Sequence, residues 1–381
     1  MAADERVKGS RLVIDASPAR MGGGASRTRE LRATIDALAP DLRTTMVVAE
    51  AMARDLPAPT ESFDYFRIPA HWRSVPLRLL WQQALLPRHL RAYRPDWVLS
   101  PFNVLPLGSG APDGIQRAVI VGNIGPFEPQ VISTGSAYQR ARNDVLRRMT
   151  LASVHRADRV FLLSRQAGQL LGSDLDPSRT TLIPMAPPPP GVLARAAARL
   201  DDRPMKPFAV VVGDLYPYKA VEDAIRAVAP LRTAGVACEL LVVGSPMDRR
   251  YRERLRDVAR RLEAPVRFLG AVPHDQTLAL MKEAIATVLC SRVENTSRVP
   301  VEAIAAGSPL VLADVPNLRD TAGDGAEYYT PGDVVALSGI LGTLATDDDA
   351  RADLVSRGRR ELGERDWLSA TRCILETLQL L

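Results

Sequence analysis

Five prolines fall within nine residues near the middle of the chain, in the stretch Ile183–Gly191. Proline fixes its own φ and has no backbone N–H, so this stretch can continue neither a helix nor a central strand. Because it separates two series of alternating strand and helix patterns, we expect a linker over residues 184–206 between two domains, with a single Pro-rich surface loop as the alternative. A chain of 381 residues is long enough to give each domain its own core.

The first series predicts a parallel α/β sheet in residues 1–183. Short apolar runs bounded by polar or Gly/Pro residues have the pattern of buried strands, and helical patterns lie between several of them. Such an alternation is typical of a sheet with helices on both faces. The strands are expected at Leu12–Asp15, Met46–Val48, Tyr65–Ile68, Trp97–Ser100, Ala118–Val121, Val160–Leu163 and Leu182–Ile183, and the helices at Ser26–Leu38, Pro76–Tyr93 (interrupted near Pro87) and Ser136–Arg156.

The second series predicts another such domain over residues 207–363, followed by a terminal helix within 364–381. Two doubly wound sheets leave a cleft at the carboxyl ends of their strands, which is where ligands bind in such folds. Its strands are expected at Phe208–Val212, Leu240–Val243, Val266–Leu269, Ala286–Leu289, Leu310–Leu312 and Glu327–Tyr329. Its helices are expected at Val221–Thr233, Arg249–Leu262, Val299–Ala306, Val334–Leu344 and Ala350–Leu362, before the last helix at Trp367–Leu380.

The net charge of +5 is uneven, since residues 1–190 carry +7 and residues 191–381 carry −2. The first domain is therefore the part expected to meet an anionic partner, although arginines that merely solvate the surface explain the excess equally well. Basic residues near Trp72, Trp81 and Trp97 favour peripheral contact with an anionic membrane. These are Arg73, Arg78, Arg88, Arg91 and Arg94. Aromatic residues make up only 5% and are not interleaved with the arginines, so nucleic acid is not an expected partner.

The cysteines and the chain start favour a cytoplasmic protein. Cys238, Cys290 and Cys373 lie far apart, and none has a Cys or His at metal-ligand spacing. We therefore expect reduced, buried thiols and no metal site. The first residues lack the apolar stretch of a secretory signal, and no apolar run approaches the ~20 residues that span a bilayer.

Three consecutive glycines, Gly22, Gly23 and Gly24, follow the first predicted strand and precede a predicted helix. We expect them to form a loop, in which the backbone can approach a ligand closely and the free N–H groups of the helix start can hold an anion. A flexible turn has the same pattern, so the glycines alone do not identify a site.

Two further motifs follow predicted strands of the second domain and could carry chemistry. Gly213–Lys219 follows its first strand and brings a cation to a helix start, although a solvated surface lysine is the alternative. Glu294 and Glu302 flank the start of the helix at Val299–Ala306. Carboxylates there can accept sugar hydroxyls or merely favour the helix dipole.

Taken together, the motifs of the second domain resemble the retaining glycosyltransferases of family four, which have the GT-B fold. The order and spacing of the matching stretches agree over about 120 residues. These are Gly213–Lys219, Leu240–Ser245, Val266–Val272, Glu294–Glu302, its continuation to Val311, and Tyr328–Pro331. More loosely, Gly122–Pro129, Ala157–Ser164 and Arg78–Gln82 are similar to a subgroup that builds cell-surface polysaccharides.

The resemblance implies a role for each matching residue. Glu294 would contact the donor sugar, Glu302 would bind the nucleotide ribose, and Lys219 would bind the diphosphate. Backbone at Gly213, Ala271, Val272 and Asn295–Ser297 (Asn295, Thr296, Ser297) would contact the donor. Asn123 and the three glycines Gly22, Gly23 and Gly24 would line the cleft from the first domain, Asn123 as a catalytic-face residue. The last helix would cross back to pack on the first domain.

The resemblance also implies a function, with two departures from the family pattern. Many members have Arg where this chain has Asp214, and Arg298 is our candidate substitute; many have His at the Asn123 position. The implied reaction moves a sugar from a nucleotide-diphospho-sugar to a hydroxyl of a glycan, lipid-linked or small-molecule acceptor, with retention, no metal and no cofactor. A sugar-nucleotide epimerase, a phosphorylase or a non-catalytic binding subunit are the alternatives.

Overall fold

The computed structural model describes residues 9–19, 22–72, 74–109, 112–129, 131, 137–183, 185–195, 207–294 and 297–381. The chain divides into two compact units. The first unit takes the described residues within 1–127, 135–184 and 367–381, and the second takes those within 128–134 and 185–366. Within the expected linker, Pro184 and residues 196–206 lie outside the described part of the chain.

Parallel strands form the sheet of the first unit: β1 (Arg11–Asp15), β2 (Arg43–Ala49), β3 (Phe63–Ile68), β4 (Trp97–Ser100), β5 (Gln116–Val121), β6 (Arg159–Leu162) and β7 (Thr180–Leu182). Their order is β3-β2-β1-β4-β5-β6-β7. The helices are α1 (Gly22–Leu38), α2 (Glu50–Ala53), α3 (Val75–Ala84), α4 (Leu86–Tyr93), α5 (Ala137–Arg156) and α6 (Arg165–Leu171). The order reverses between β1 and β4, which makes that point the topological switch of the sheet.

The second unit repeats this plan. After α7 (Pro190–Arg195) come the parallel strands β8 (Phe208–Val212), β9 (Glu239–Val243), β10 (Val266–Gly270), β11 (Ala286–Leu289), β12 (Leu310–Ala313) and β13 (Glu327–Tyr329), in the order β10-β9-β8-β11-β12-β13. The helices are α8 (Glu222–Thr233), α9 (Arg249–Arg261), α10 (His274–Glu283), α11 (Val299–Ala306), α12 (Pro316–Ala322), α13 (Val334–Thr346) and α14 (Asp348–Leu362). The central strands are buried on both faces, which explains their unbroken apolar sequences. The sequence prediction of two parallel α/β sheets is confirmed.

The chain ends in α15 (Trp367–Thr377), which belongs to the first unit and packs against α1. Inside this contact the buried hydroxyls of Thr34 and Thr371 share a hydrogen bond at 2.7 Å, and the Thr34 hydroxyl also contacts the Glu30 carbonyl oxygen at 2.7 Å. Ile374 and Leu375 join the apolar core under α1. Helix α15 thereby contributes to the core of the same unit as the first strand, β1.

The expectation of a glycine loop before α1 was wrong, because Gly22, Gly23 and Gly24 form the first turn of that helix. Glycine is a poor helix former, and the sequence pattern therefore indicated a loop. Close packing explains the glycine at position 24, where a Cβ would lie 3.3 Å from the Phe102 ring. Gly23 is exposed on the same turn, so it is a helical surface residue and not part of a separate loop.

Two other expectations are corrected by burial. Trp81 and Trp97 are 3% and 6% exposed and lie in the core, so they cannot belong to a surface patch with the nearby arginines. Alternating apolar spacing did not distinguish these inward-facing tryptophans from Trp72, which is half-buried. Arg73 lies outside the described residues. Cys238 and Cys290 are free, buried thiols as expected, whereas Cys373 is only half-buried.

Three glycines let the loops after β8, β9 and β10 lie against one another. Gly213, Gly244 and Gly270 all have positive φ, at 135°, 146° and 70°. The Gly244 N–H donates to the Gly270 carbonyl at 2.7 Å. A Cβ at Gly244 would overlap the Gly213 carbonyl oxygen, so only glycine fits there. This contact fixes the start of the loop that carries Lys219.

We predict that Gly244→Ala lowers the free energy of unfolding of the second unit by at least about 2 kcal/mol, because backbone must move to relieve the overlap. Gly339→Ala is the matched control, since Gly339 lies exposed in α13 with open space where a Cβ would be. That change should stabilise by about 0.5–1 kcal/mol through helix propensity. Urea unfolding followed by circular dichroism compares the two, and equal stability of both variants would contradict the packing argument.

Candidate active site

The candidate residues of the second unit lie at the carboxyl ends of three parallel strands. Gly213 and Lys219 follow β8, Ala271 and Val272 follow β10, and the Glu294 loop follows β11. Because β11 pairs directly with β8, with Val288 beside Val211, the loops after these two strands start side by side. The parallel topology therefore brings residues 75 positions apart, Lys219 and Glu294, to one edge of the sheet.

Lys219 and Glu294 form an ion pair. The Lys219 Nζ lies 2.5 Å from the Glu294 Oε1, and the side chains are 20% and 5% exposed. A nearly buried carboxylate requires such a partner, and a charge-assisted hydrogen bond supplies it. The resemblance implied that Lys219 binds the diphosphate of a donor and that Glu294 contacts its sugar. The structure brings these two side chains into contact.

Two further residues fix the position of Glu294. The Ser291 hydroxyl donates to the Glu294 Oε1 at 2.5 Å, and the Asn317 amide donates to the Glu294 carbonyl oxygen at 2.6 Å. The ring of Tyr218 lies 5.7 Å from the Lys219 Nζ. Burial, with the nearby Glu294 carboxylate, raises the pKa of Tyr218, which therefore remains a neutral phenol beside the ion pair.

Glu302 occupies a second polar cluster at the start of α11. Its Oε1 accepts a hydrogen bond from the Arg298 Nε at 3.2 Å, and the His274 Nε2 lies at the same distance. Burial by itself would raise the pKa of Glu302, but the contacts with His274 and Arg298 outweigh it and hold that pKa below its usual range. Glu302 is therefore a buried carboxylate that is held in its charged form.

The sequence explains why α11 begins where it does. Pro300 occupies the first turn, where its missing N–H costs nothing, and Glu302 follows in the same turn, where a carboxylate interacts favourably with the helix dipole. Arg298 is the residue before the helix and is 9% exposed. Its contact with Glu302 pairs it with a buried carboxylate, and a role for Arg298 as a diphosphate cation stays a prediction.

The other predicted residues of this unit are described separately. Ala271 is exposed and Val272 is half-buried in the turn after β10, while Ser297 is buried beside Arg298. Asn295 and Thr296 lie outside the described residues. Among the residues that are described, no three His, Cys, Asp or Glu side chains are grouped so as to hold a metal ion.

Asn123 belongs to the first unit, where it stabilises a turn. Its side-chain oxygen accepts a hydrogen bond from the Gly125 N–H at 3.1 Å, and its backbone N–H donates to Asn103 Oδ1 at 2.9 Å. Asn103 also donates to the Asn123 carbonyl at 2.8 Å. These bonds shape the backbone after β5 and place an exposed Asn123 there, which is a structural role in addition to the catalytic-face role that the resemblance implied.

Three residues of the site were not found from the sequence. His274 was set aside as a scattered histidine, yet it contacts Glu302; its place directly after β10, at the carboxyl edge of the sheet, was the one available signal. Ser291 lies three residues before Glu294 in the same loop. Asn317 contacts the Glu294 backbone from α12, 23 residues away, and nothing local in the sequence points to that contact.

Comparison with known proteins finds a family match over most of the second unit. Residues 196–361 match the family described as Glycosyl transferases group 1. The glycogen synthase of Mycobacterium tuberculosis is 33% identical to this chain over 162 residues, which cover 41% of this chain and 38% of that protein. The chain thus spans well under half the length of this curated relative. The resemblance seen in the sequence is confirmed for the second unit.

Two solved structures are similar over nearly the whole chain. Sucrose-phosphate synthase from Thermosynechococcus elongatus superposes with a TM-score of 0.73 at 20% identity, covering 97% of this chain and 98% of that one. The Anabaena protein HepE in complex with UDP-glucose gives 0.69 at 17% identity, with coverages of 97% and 100%. At these identities the similarity establishes the fold, and the predicted GT-B class is confirmed.

We predict that Glu302→Gln destabilises the second unit by about 1–3 kcal/mol at pH 7, since it removes the charge that faces Arg298 and His274. The folded-state pKa of Glu302 is lowered, so its stabilising contribution is present above the ordinary value of about 4.3 and is lost as pH falls through the folded-state value. Urea unfolding at pH 7 and in acid measures the gap between variant and wild type, which should close in acid. Glu263→Gln, which changes a carboxylate that is 78% exposed, is the control, and it should leave the free energy of unfolding unchanged both at pH 7 and in acid.

Proposed function

We propose that this chain, whose residues 196–361 match the family described as Glycosyl transferases group 1, moves a sugar from a nucleotide-diphospho-sugar to a hydroxyl acceptor. The observation that carries the proposal is the contact between Lys219 and Glu294, with Glu302 on the helix that follows, all within the matched residues. A cation, a sugar-side carboxylate and a ribose-side carboxylate thereby share the carboxyl edge of one sheet.

The donor side of the proposal follows from the chemistry of these groups. An ammonium can bind the diphosphate, and charged carboxylates accept hydrogen bonds from sugar and ribose hydroxyls. Glu302 is held charged, which suits it to accept from the ribose. The fold is also that of HepE, which was solved with UDP-glucose. A nucleotide-diphospho-sugar is therefore the donor class that fits the site.

The reaction breaks the bond between the anomeric carbon and the diphosphate oxygen and forms a bond from that carbon to the acceptor oxygen. Positive charge develops on the sugar ring and negative charge on the departing phosphate. We assign Lys219 to the phosphate charge and Glu294 to the sugar. In the proposed retaining route the acceptor attacks from the side of the leaving group, and the departing phosphate accepts the acceptor's proton. This division of roles needs no metal ion.

The ion pair has a consequence for ligand binding. The Lys219 ammonium contacts Glu294 at 2.5 Å, so a diphosphate that binds Lys219 would share or replace that partner. A sugar attached to the diphosphate would in turn give the Glu294 carboxylate hydroxyl donors. Free nucleoside diphosphate and the complete donor should therefore respond differently to removal of Glu294.

We predict that removing Glu302 and removing Glu294 have different effects on ligand binding. Glu302→Ala should weaken a nucleoside diphosphate and its sugar conjugate alike, by about 1.5–3 kcal/mol for a charged hydrogen bond. Glu294→Ala should leave the free diphosphate bound as well as before or more tightly, because Lys219 is released, while it lowers turnover of the donor. Calorimetry with uridine, guanosine and adenosine diphosphates, beside initial rates with the matching sugar nucleotides, measures both.

The same experiment tests the proposed function. Glu263→Ala is the control for the loss of a carboxylate, since that side chain is 78% exposed. If both site variants bind and turn over like wild type, the glycosyltransferase assignment of this motif falls. Conversion of a sugar nucleotide with no acceptor present, giving an epimerised donor, would favour an epimerase instead.

We also propose peripheral contact of the first unit with an anionic membrane. No helix in the described part of the chain is long and apolar enough to cross a bilayer. On α3 and α4 the exposed side chains include Leu77 and Leu80, which are 44% and 56% exposed, and the basic residues Arg88 and Arg91. Exposed apolar groups and exposed cations on two consecutive helices suit a negatively charged lipid surface, such as that of the cytoplasmic leaflet.

We predict that the double substitution Arg88→Gln with Arg91→Gln reduces binding to anionic vesicles, at roughly 1 kcal/mol per cation near the surface. Flotation with neutral and with anionic vesicles measures recovery of each variant. Arg260→Gln with Arg261→Gln, at exposed positions of the second unit, matches the change in net charge and should leave recovery unchanged. Equal recovery of the wild type with both kinds of vesicle would refute the contact.

A further inference from the structure

Arg292 joins the two loops that carry Lys219 and Glu294. Its backbone N–H donates to the Tyr218 carbonyl at 2.8 Å, and its Nη2 lies 2.7 Å from the Asp223 Oδ2. Tyr218 directly precedes Lys219, and Asp223 lies beyond it in the first turn of α8. One residue of the Glu294 loop thus holds the Lys219 loop at two points, one on each side of Lys219.

The Asp223 side chain depends on this contact. It is only 2% exposed, and burial raises its pKa while the Arg292 guanidinium opposes that rise. Arg226 is a weaker partner, 3.8 Å from the other carboxylate oxygen and 47% exposed. A buried carboxylate that loses its main partner is left with an uncompensated charge, so the two loops cannot separate at this point without a large cost.

The backbone between the two anchor points is itself restrained. Ala220 directly follows Lys219 and has a φ of 45°, a left-handed conformation that is unfavourable for alanine. Its N–H donates to the Pro217 carbonyl at 3.1 Å, and the Asp223 N–H donates to the Ala220 carbonyl at 3.0 Å. A strained residue persists where its surroundings determine it, and here the anchors at Tyr218 and Asp223 lie on either side.

We propose that Asp223 and Arg292 are positioning residues that set the distance between the Lys219 ammonium and the Glu294 carboxylate. Their role is to hold Lys219 where it can contact the β-phosphate of a nucleoside diphosphate. The inference rests on the proposed function, because it takes Lys219 as the diphosphate cation. A purely structural ion pair would contribute to stability without changing how much Lys219 adds to phosphate binding.

The test measures what Lys219 contributes, with and without the positioning pair. For each variant, calorimetry compares the nucleoside diphosphate with the corresponding monophosphate; uridine, guanosine and adenosine nucleotides are used as probes. In wild type, Lys219→Ala should reduce the ratio of diphosphate affinity to monophosphate affinity, which is the discrimination measured here, by about ten- to a hundredfold, as loss of a charged hydrogen bond would. In the Asp223→Asn background the same Lys219→Ala change should cost less than about threefold, because Lys219 is no longer positioned.

Controls separate positioning from stability. Arg226→Met removes the other cation near Asp223 and should keep the full effect of Lys219→Ala. Arg292→Met should behave like Asp223→Asn, and Arg292→Lys, which retains the charge, should restore much of the discrimination. Unfolding curves establish that each variant is folded at the temperature of the titration, and Arg292→Met is the variant compared if Asp223→Asn does not fold.

Each outcome decides one question. If Lys219→Ala costs the same in the Asp223→Asn or Arg292→Met background as in wild type, the two residues are structural and the positioning role is overturned. If wild type binds none of the three diphosphates, the proposed function fails first, and the positioning role falls with it. If the diphosphate binds and Lys219→Ala has no effect in wild type, Lys219 is not the diphosphate cation.

Discussion

The direct pairing of β8 with β11 is the constraint on which the candidate site depends. Ala209, Val210 and Val211 lie beside Ala286, Thr287 and Val288, so the two strands end together and their loops begin side by side. A parallel pair can be joined only by a long crossover, which is why the two loops come from distant parts of the chain. The contact of Lys219 with Glu294 and that of Arg292 with Tyr218 both follow from this register. A shift of one residue would turn each side chain to the opposite face of the sheet.

Buried charge distinguishes this edge of the sheet from an ordinary protein interior. Glu294, Glu302 and Asp223 are each less than a tenth exposed, and each contacts a cation. Desolvating such groups costs several kcal/mol each, and well-packed apolar residues can often replace a buried ion pair without loss of stability, so fold stability alone does not explain three of them near one edge. Polar groups paired and oriented in advance are what recognition of a diphosphate and of sugar hydroxyls requires. Three buried carboxylates with cation partners at one edge of the sheet are consistent with a binding site.

Much of this architecture could be predicted because apolar runs in a parallel sheet leave a direct signal. Phe208–Val212, Ala286–Leu289 and the helix Val299–Ala306 have the same limits in the sequence prediction and in the structure. The failures come from tertiary contacts that local patterns do not encode. Gly22, Gly23 and Gly24 are helical although glycine disfavours helices, and the tryptophans 81 and 97 are buried although arginines surround them in sequence. Likewise, the contacts of His274 with Glu302 and of Arg292 with Asp223 join residues far apart in the sequence, and only the folded chain reveals them.

This chain has Asp214 where many members of the family that it resembles have Arg, which raises the question of which cation would bind a diphosphate. The partners of the nearby cations bear on that question. Arg298 is bound to Glu302 and Arg292 to Asp223, so each already neutralises a buried carboxylate. Lys219 also has a carboxylate partner, but Glu294 accepts from Ser291 as well and would gain hydroxyl donors from a bound sugar. Of these three cations, Lys219 can therefore turn towards a phosphate with the least loss, because its carboxylate is the one that the donor itself would satisfy. The proposed function therefore implies that donor binding would exchange the partners of this ion pair, because a sugar that contacted Glu294 would help to release Lys219 for the diphosphate.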